Sequence, residues 1–249
     1  MSQDSADFLS RTLLLLGEQG VARLKSASVA VFGVGGVGSH AAEALVRAGL
    51  GAITLVDSDT VHPSNINRQV HALTNTVRQS KVSAMADRLR LINPDLKIYP
   101  LDILVTSENV PLLLSSGYDL VMDAIDTFSA KVSLLKYCHG AGIIAISSMG
   151  AAGRLDPARV RSGDISRSHG CRLGRKLRKA LRHEGIFEGI TVVYSEEPFC
   201  VASIGESDSE GSRRSMGTIS YMPAIFGMTM AALAIASITG HDKKMHPPG

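Results

Sequence analysis

Tryptophan is absent from the 249-residue chain, and Phe and Tyr together bring aromatics to only 4%. A platform of stacked aromatics for single-stranded nucleic acid is therefore excluded. Cysteine is scarce too: Cys138, Cys171 and Cys200 form no C-x-x-C pair. This excludes a disulfide framework and a four-cysteine zinc site, and the low, odd number fits a reducing cytoplasm. Strong charge of one sign is lacking, the formal net charge being +3. With 45% hydrophobic residues, intrinsic disorder is excluded. The first residues, MSQDSADFLSR, contain no apolar run and do not read as a secretory signal. No repeat of 20–50 residues is visible.

The one long uncharged run lies between Arg214 and His241. Residues 219–238 are long enough to span a bilayer. Their strong apolar members give an insertion gain of only about −2 to −4 kcal/mol before polar penalties. A helix buried in the protein or between subunits is the favoured expectation, with membrane association as the alternative.

Strand-like and helix-like segments alternate through the first 150 residues. SVAVFG (28–33) reads as a buried parallel strand, and AITLVD (52–57), KIYPLD (97–102), DLVMDA (119–124) and IIAIS (143–147) read as four further strands. Helices are expected over 37–48, 80–92, 107–115 and 129–140. This alternation predicts an α/β, Rossmann-like, doubly wound and mainly parallel sheet. After residue 150 comes an extension, with TVVYS (191–195) as a further strand, a polar loop over 203–215 and the apolar terminal helix. Residues 154–183 hold ten Lys and Arg against Asp156 and Asp164, a local charge of +8. That block suits nucleic-acid phosphates, with a solvated helix face as the plainer alternative.

GVGGVGS (33–39) fits G-x-G-x-x-G through Gly33, Gly35 and Gly38, with Gly36 additional and Ser39 closing the run. It follows a strand and opens a helix, where backbone N–H groups meet phosphate. Asp57 ends the second strand, placed to accept from a ribose hydroxyl. So far NAD, FAD and ATP all remain open. The run DSDTVHPSNINRQ (57–69) then brings Asp59, Asn65, Asn67, Arg68 and Gln69, followed by Lys81 and by DAID (123–126). In an open parallel sheet Gly35, Asp57 and Asp126 should converge beyond the strand ends. Arg68 and Lys81 can neutralise phosphates there, and Asp126 can hold Mg2+.

As an ordered set, these motifs resemble the adenylating superfamily of ThiF, MoeB and ubiquitin-activating enzymes. The resemblance implies that ATP activates a carboxylate as an acyl-adenylate. The glycine loop (Gly33, Gly35, Gly36, Gly38, Ser39), Asp57, Asp59 and Gln69 would bind the nucleotide. Asn65, Arg68 and Lys81 would contact its phosphates, and Asp126 would bind Mg2+. LSRTLLLLG (9–17) resembles the segment that supplies an arginine across a homodimer, which nominates Arg11. SRTLLLLGEQG, NINRQVHAL, INPD and SSMGAAGRLDPARV further resemble the tRNA threonylcarbamoyladenosine dehydratase branch, over nearly the whole chain. That branch implies tRNA as partner and ATP-driven ring closure of its modified adenosine. Cys171 and Cys200 are expected to be inert, and no sulfur-transfer or cysteine desulfurase partner is specified. The rivals are an adenylyltransferase for a ubiquitin-like sulfur carrier, an NAD-dependent redox protein and a non-catalytic scaffold.

Overall fold

The computed structural model describes residues 8–200 and 216–241. The polar stretch 203–215 proposed as a loop, and the tail after His241, lie outside the described residues. Seven strands form one sheet in the order β3-β2-β1-β4-β5-β7-β6. They are β1 (Ser28–Phe32), β2 (Ala52–Val56), β3 (Lys97–Leu101), β4 (Leu120–Asp123), β5 (Ala145–Ser148), β6 (Val160–Asp164) and β7 (Thr191–Ser195). Every pairing is parallel except β6 with β7. The order reverses between β1 and β4, which is where a doubly wound sheet opens a crevice.

The helices are α1 (Ser10–Ser26), α2 (Gly36–Ala48), α3 (Lys81–Ile92), α4 (Val110–Leu113), α5 (Phe128–Gly140), α6 (Arg172–His183) and α7 (Tyr221–Thr239). They cover both faces of the sheet, which explains why its central strands are apolar throughout. Val29 and Val31 of β1 join a core with α2, α3 and α7. Ala30 and Phe32, pointing the other way, join a second core with α4, α5 and α6. β3 is an edge strand, so Pro100 costs no ladder bond on its open side.

The extension after residue 150 continues the same sheet through β6 and β7. The expected helix at 107–115 is a single turn, α4. The uncharged run forms α7, with a mean hydropathy of 1.7 and half of that window buried. Met222, Phe226, Met230, Ala231 and Ala234 of α7 pack in the first core. A Cβ on Gly227 would lie 2.4 Å from the carbonyl oxygen of Val37, so α7 rests directly on the first turn of α2.

Candidate active site at the strand switch

Three strand ends, those of β1, β2 and β4, and their loops build the site. β1 runs into the glycine loop, where Gly33 adopts φ +88° and its N–H donates to Val56 O at 2.8 Å. A Cβ on Gly33 would sit 2.6 Å from Ala124 O, and one on Gly38 would sit 1.8 Å from Gly33 O. These two glycines let the loop lie against the end of β4 and against itself. Gly35 differs: the only atom within 4 Å of its Cβ position is Gln69 Nε2, at 3.9 Å. It leaves open space in front of the first turn of α2.

A cavity of about 750 Å³ lies in front of that turn. Gly33, Gly35, Gly36, Asp57, Asp59, Asn65, Arg68, Gln69, Lys81 and Asp126 all line it. The 3₁₀ turn Pro63–Asn65 opens the segment that carries the Asn, Arg and Gln. In that turn Asn65 Oδ1 accepts from His62 N–H at 3.0 Å. Arg68 Nη1 donates to Ser64 O (2.8 Å) and Asn67 Oδ1 (2.9 Å), which fixes its guanidinium. Gln69 is buried, and its Oε1 has no hydrogen-bond partner among the described residues. Lys81 opens α3 and is buried, its Nζ 2.6 Å from Oδ2 of the exposed Asp59.

Asp57 is held by two backbone donors, Val34 N–H at 2.6 Å and Asp59 N–H at 2.9 Å, one on each carboxylate oxygen. Burial pushes its carboxyl above the usual range, against the opposing pull of Lys81 and those two N–H groups. Asp126 is exposed at the cavity wall. Behind it lies a fully buried ion pair. Lys131 Nζ on α5 is 2.6 Å from Asp123 Oδ2 at the end of β4, and also reaches Ser147 Oγ (3.3 Å) and Ser148 O (3.1 Å). Ser147 Oγ donates to the same oxygen at 2.6 Å, and Asp123 Oδ1 accepts from Ile125 N–H at 3.2 Å. The pair thereby anchors the turn that presents Asp126. The only visible signal for it is a lysine one helical turn into a mostly apolar helix.

Three nominated residues lie off this wall. Gly38 is consumed by packing, as its contact with Gly33 requires. Ser39 is fully buried, and its Oγ accepts from Val70 N–H at 3.3 Å, which ties α2 to the 66–70 segment. Arg11 is exposed on α1 and does not line its own chain's cavity.

The cavity continues past Asp126 into the loop after β5 and the start of α6, where Met149, Arg154, Cys171, Arg172 and Phe199 line it. These residues come from separate segments that only the folded chain brings together. Cys171 is buried, and its Sγ accepts from Gly174 N–H as the cap of α6. His169 Nε2 lies 2.9 Å from Glu196 Oε1. Cys138 lies in the core, where burial and then Asp123 push its thiol up to about 12.

The basic block does not act as one surface. Arg159 pairs with Asp156, Arg161 with Glu196, and Arg178 donates to Ser168. Arg172, Arg175, Lys176, Lys179 and Arg182 are exposed along α6, whose first turn borders the cavity.

A glycine loop at the strand switch of a doubly wound sheet, facing a cavity lined by Arg68, Lys81 and Asp126, defines an α/β protein built to take an anionic nucleotide. The chain belongs to the ThiF family, whose profile matches residues 9–248. It is 40% identical over 237 residues to the tRNA threonylcarbamoyladenosine dehydratase of Bacillus subtilis, covering 92% of this chain and 93% of the relative. The crystal structure of the E. coli tRNA N6-threonylcarbamoyladenosine dehydratase in complex with ATP aligns with a TM-score of 0.88 at 33% identity, over 98% of this chain and 99% of that one. The likeness to the molybdopterin-synthase adenylyltransferase of Salmonella typhimurium is shorter: 38% identity over 149 residues, or 59% of each chain.

Proposed function

We propose that this protein is an ATP-dependent tRNA threonylcarbamoyladenosine dehydratase acting as a cytoplasmic homodimer. The observation that carries this reading is the extent of the likeness. Similarity to the dehydratase runs through the extension and α7, whereas similarity to the adenylyltransferase spans little more than half the chain. Absence of C-x-x-C pairs from the sequence points the same way.

The residues present suit ATP. Gly35 leaves room for a phosphate before the α2 N-terminus, and Gln69 Nε2 borders the same space. Asp57, immobilised by its two N–H donors, would accept from a ribose hydroxyl. Arg68, Lys81 and Asn65 would hold the phosphates; paired to Asp59, Lys81 still has ammonium donors to spare. A lone carboxylate, Asp126, suits Mg2+, which keeps most of its shell as water and phosphate oxygen. Mg2+ held there would offset the charge on the departing pyrophosphate.

The threonyl carboxylate oxygen attacks the α-phosphorus. The bond to the β-phosphate oxygen breaks, and pyrophosphate carries away that electron pair. The carbamoyl group of the same side chain then attacks the activated carbonyl. AMP leaves with the former carboxylate oxygen, and the attacking group loses a proton. The net change in the tRNA is loss of one water. Ring closure is intramolecular, so no nucleophile from the protein is needed.

Exposed Leu14 and Leu15 beside Arg11 on α1 support an apolar contact between two copies. α7 is read as a core helix because its inner face is occupied by α2 and the sheet.

Incubation with ATP and threonylcarbamoyl-modified tRNA should yield the cyclised nucleoside and AMP in equal amounts, read by nucleoside mass analysis. A sulfur carrier with a C-terminal glycine should yield no AMP. Asp126→Ala should abolish turnover in a folded protein, and Arg68→Ala and Lys81→Ala should each slow it by ~10²-fold or more. AMP formation with the sulfur carrier alone would overturn the assignment.

A further inference from the structure

The cavity has a second end whose charge the nucleotide does not use. Arg154, on the loop after β5, is only 4% exposed and lines this end. Neither its Nε nor its Nη1 has a hydrogen-bond partner among the described residues, and no ion pair to it occurs there. A buried guanidinium left in this state is costly unless a ligand completes it.

The backbone on either side prevents an easy escape to water. Gly153 N–H donates to Gly217 O at 2.9 Å, and Gly153 O accepts from Cys200 N–H at 3.2 Å. The next two N–H groups, of Leu155 and Asp156, both donate to the Glu197 carboxylate at 2.9 Å. Arg172 stands on the same wall in the first turn of α6, its guanidinium 5.7 Å from the centre of the Phe199 ring. That first turn contains no acid. The acids lining the cavity, Asp57, Asp59 and Asp126, belong to the nucleotide side. This end is therefore cationic, with Arg154 buried and Arg172 exposed, and is bordered by the apolar Met149 and Phe199.

We propose that Arg154, seconded by Arg172, binds the carboxylate of the acyl substrate and points it toward the nucleotide end of the cavity. The assignment rests on the adenylation reading above and names the group that selects its substrate. A planar guanidinium donates two parallel hydrogen bonds to a carboxylate, and here Nε and Nη1 are already out of water before the ligand arrives. Phosphate is the less suitable occupant, because Arg68, Lys81 and the α2 N-terminus already serve phosphate at the other end.

The test compares wild type, Arg154→Gln and Arg154→Lys for binding of ATP and of two tRNAs. The tRNAs are identical except that one carries the threonylcarbamoyl group. Wild type should prefer the modified tRNA. Arg154→Gln should lose that preference by ~10-fold or more, with ATP affinity and unmodified-tRNA affinity both within about twofold of wild type. The methyl ester of the modified tRNA should bind wild type no better than the unmodified form. Equal weakening toward both tRNAs would make Arg154 a ligand of RNA phosphate, and weakened ATP binding would make it part of the nucleotide site. Either result overturns the proposal. If Arg154→Gln fails to fold, Arg154→Lys keeps the charge but not the planar pair of donors. It should then lose at least about threefold of the preference, and full retention would overturn the proposal. Failure of the underlying reading looks different: wild type would form no AMP with the modified tRNA.

Discussion

At His71 both ring nitrogens are buried without a hydrogen-bond partner among the described residues. Burial, followed by the positive charges of Lys81, Arg88 and His40, pushes its pKa from 6.5 down to about 4. The folded protein thus keeps a neutral ring where the unfolded chain takes up a proton. Between pH 6.5 and 4 the unfolded state binds more protons, so stability rises with pH across that window and is complete above it. The contribution reaches about 3 kcal/mol at most. Denaturant unfolding of wild type and His71→Leu from pH 4 to 7 should show a shallower slope in the variant. Above pH 6.5 its stability should be equal or better, since an apolar side chain leaves no buried nitrogen behind. Equal slopes in the two proteins would assign the pH dependence to another group.

α7 and α2 are the elements on which the site rests. Gly227 meets the backbone of the very turn that faces the cavity. Gly227→Val should therefore cost ~1–3 kcal/mol of stability and weaken ATP binding in the same protein. Gly140→Ala, at a helical position with no heavy atom within 4 Å of the added carbon, is the neutral control. Unimpaired nucleotide binding in Gly227→Val would separate the two helices functionally. For α6 the test is ionic strength. If Arg175, Lys176, Lys179 and Arg182 meet tRNA phosphates, then with ~4–6 contacts log affinity should fall against log salt with a slope of roughly −3 to −5. Changing these four to Ala should flatten the slope and spare ATP binding. Arg178 is left out because its bonds to Ser168 are structural. An identical slope would leave α6 as a solvated face.

The same elements explain what was legible beforehand. β1, β2 and β4 are buried on both faces, so they appear as mostly apolar runs with glycine or aspartate at their ends. β6 is VRSGD, a half-exposed antiparallel edge with no apolar signature, and it escapes notice. α1 buries only Gly20, Val21 and Leu24, and Gly17 at φ +70° kinks it, so its pattern is weak. Asp57, Arg68, Lys81 and Asp126 could be nominated because they fall in one ordered series beside a glycine loop. Arg154, Arg172 and Lys131 could not, because their significance depends on contacts across the fold.

For the molecule as a whole, the proposed homodimer implies that two copies share two sites. Arg11 stands on α1 clear of its own cavity, beside the exposed Leu14 and Leu15. If it serves the partner's site, an Arg11→Ala subunit combined with a Lys81→Ala subunit regains part of the activity. One of the two mixed sites then has every residue intact. Neither single variant alone should match it. A confirmed heterodimer with no recovery would count against Arg11 serving the partner's site.

The crowding around Gly33 and Gly38 bears on how such a protein would decay. Both are demanded by the chain's own atoms, the end of β4 in one case and the loop itself in the other. A descendant that had lost its activity would still need them to fold, and would still display most of the glycine signature. Gly35 answers to no neighbour closer than Gln69, so it would be among the first positions released to drift. In this fold a retained glycine motif marks descent, and under the proposed assignment the fate of Gly35, Arg68 and Asp126 marks whether the enzyme is still alive.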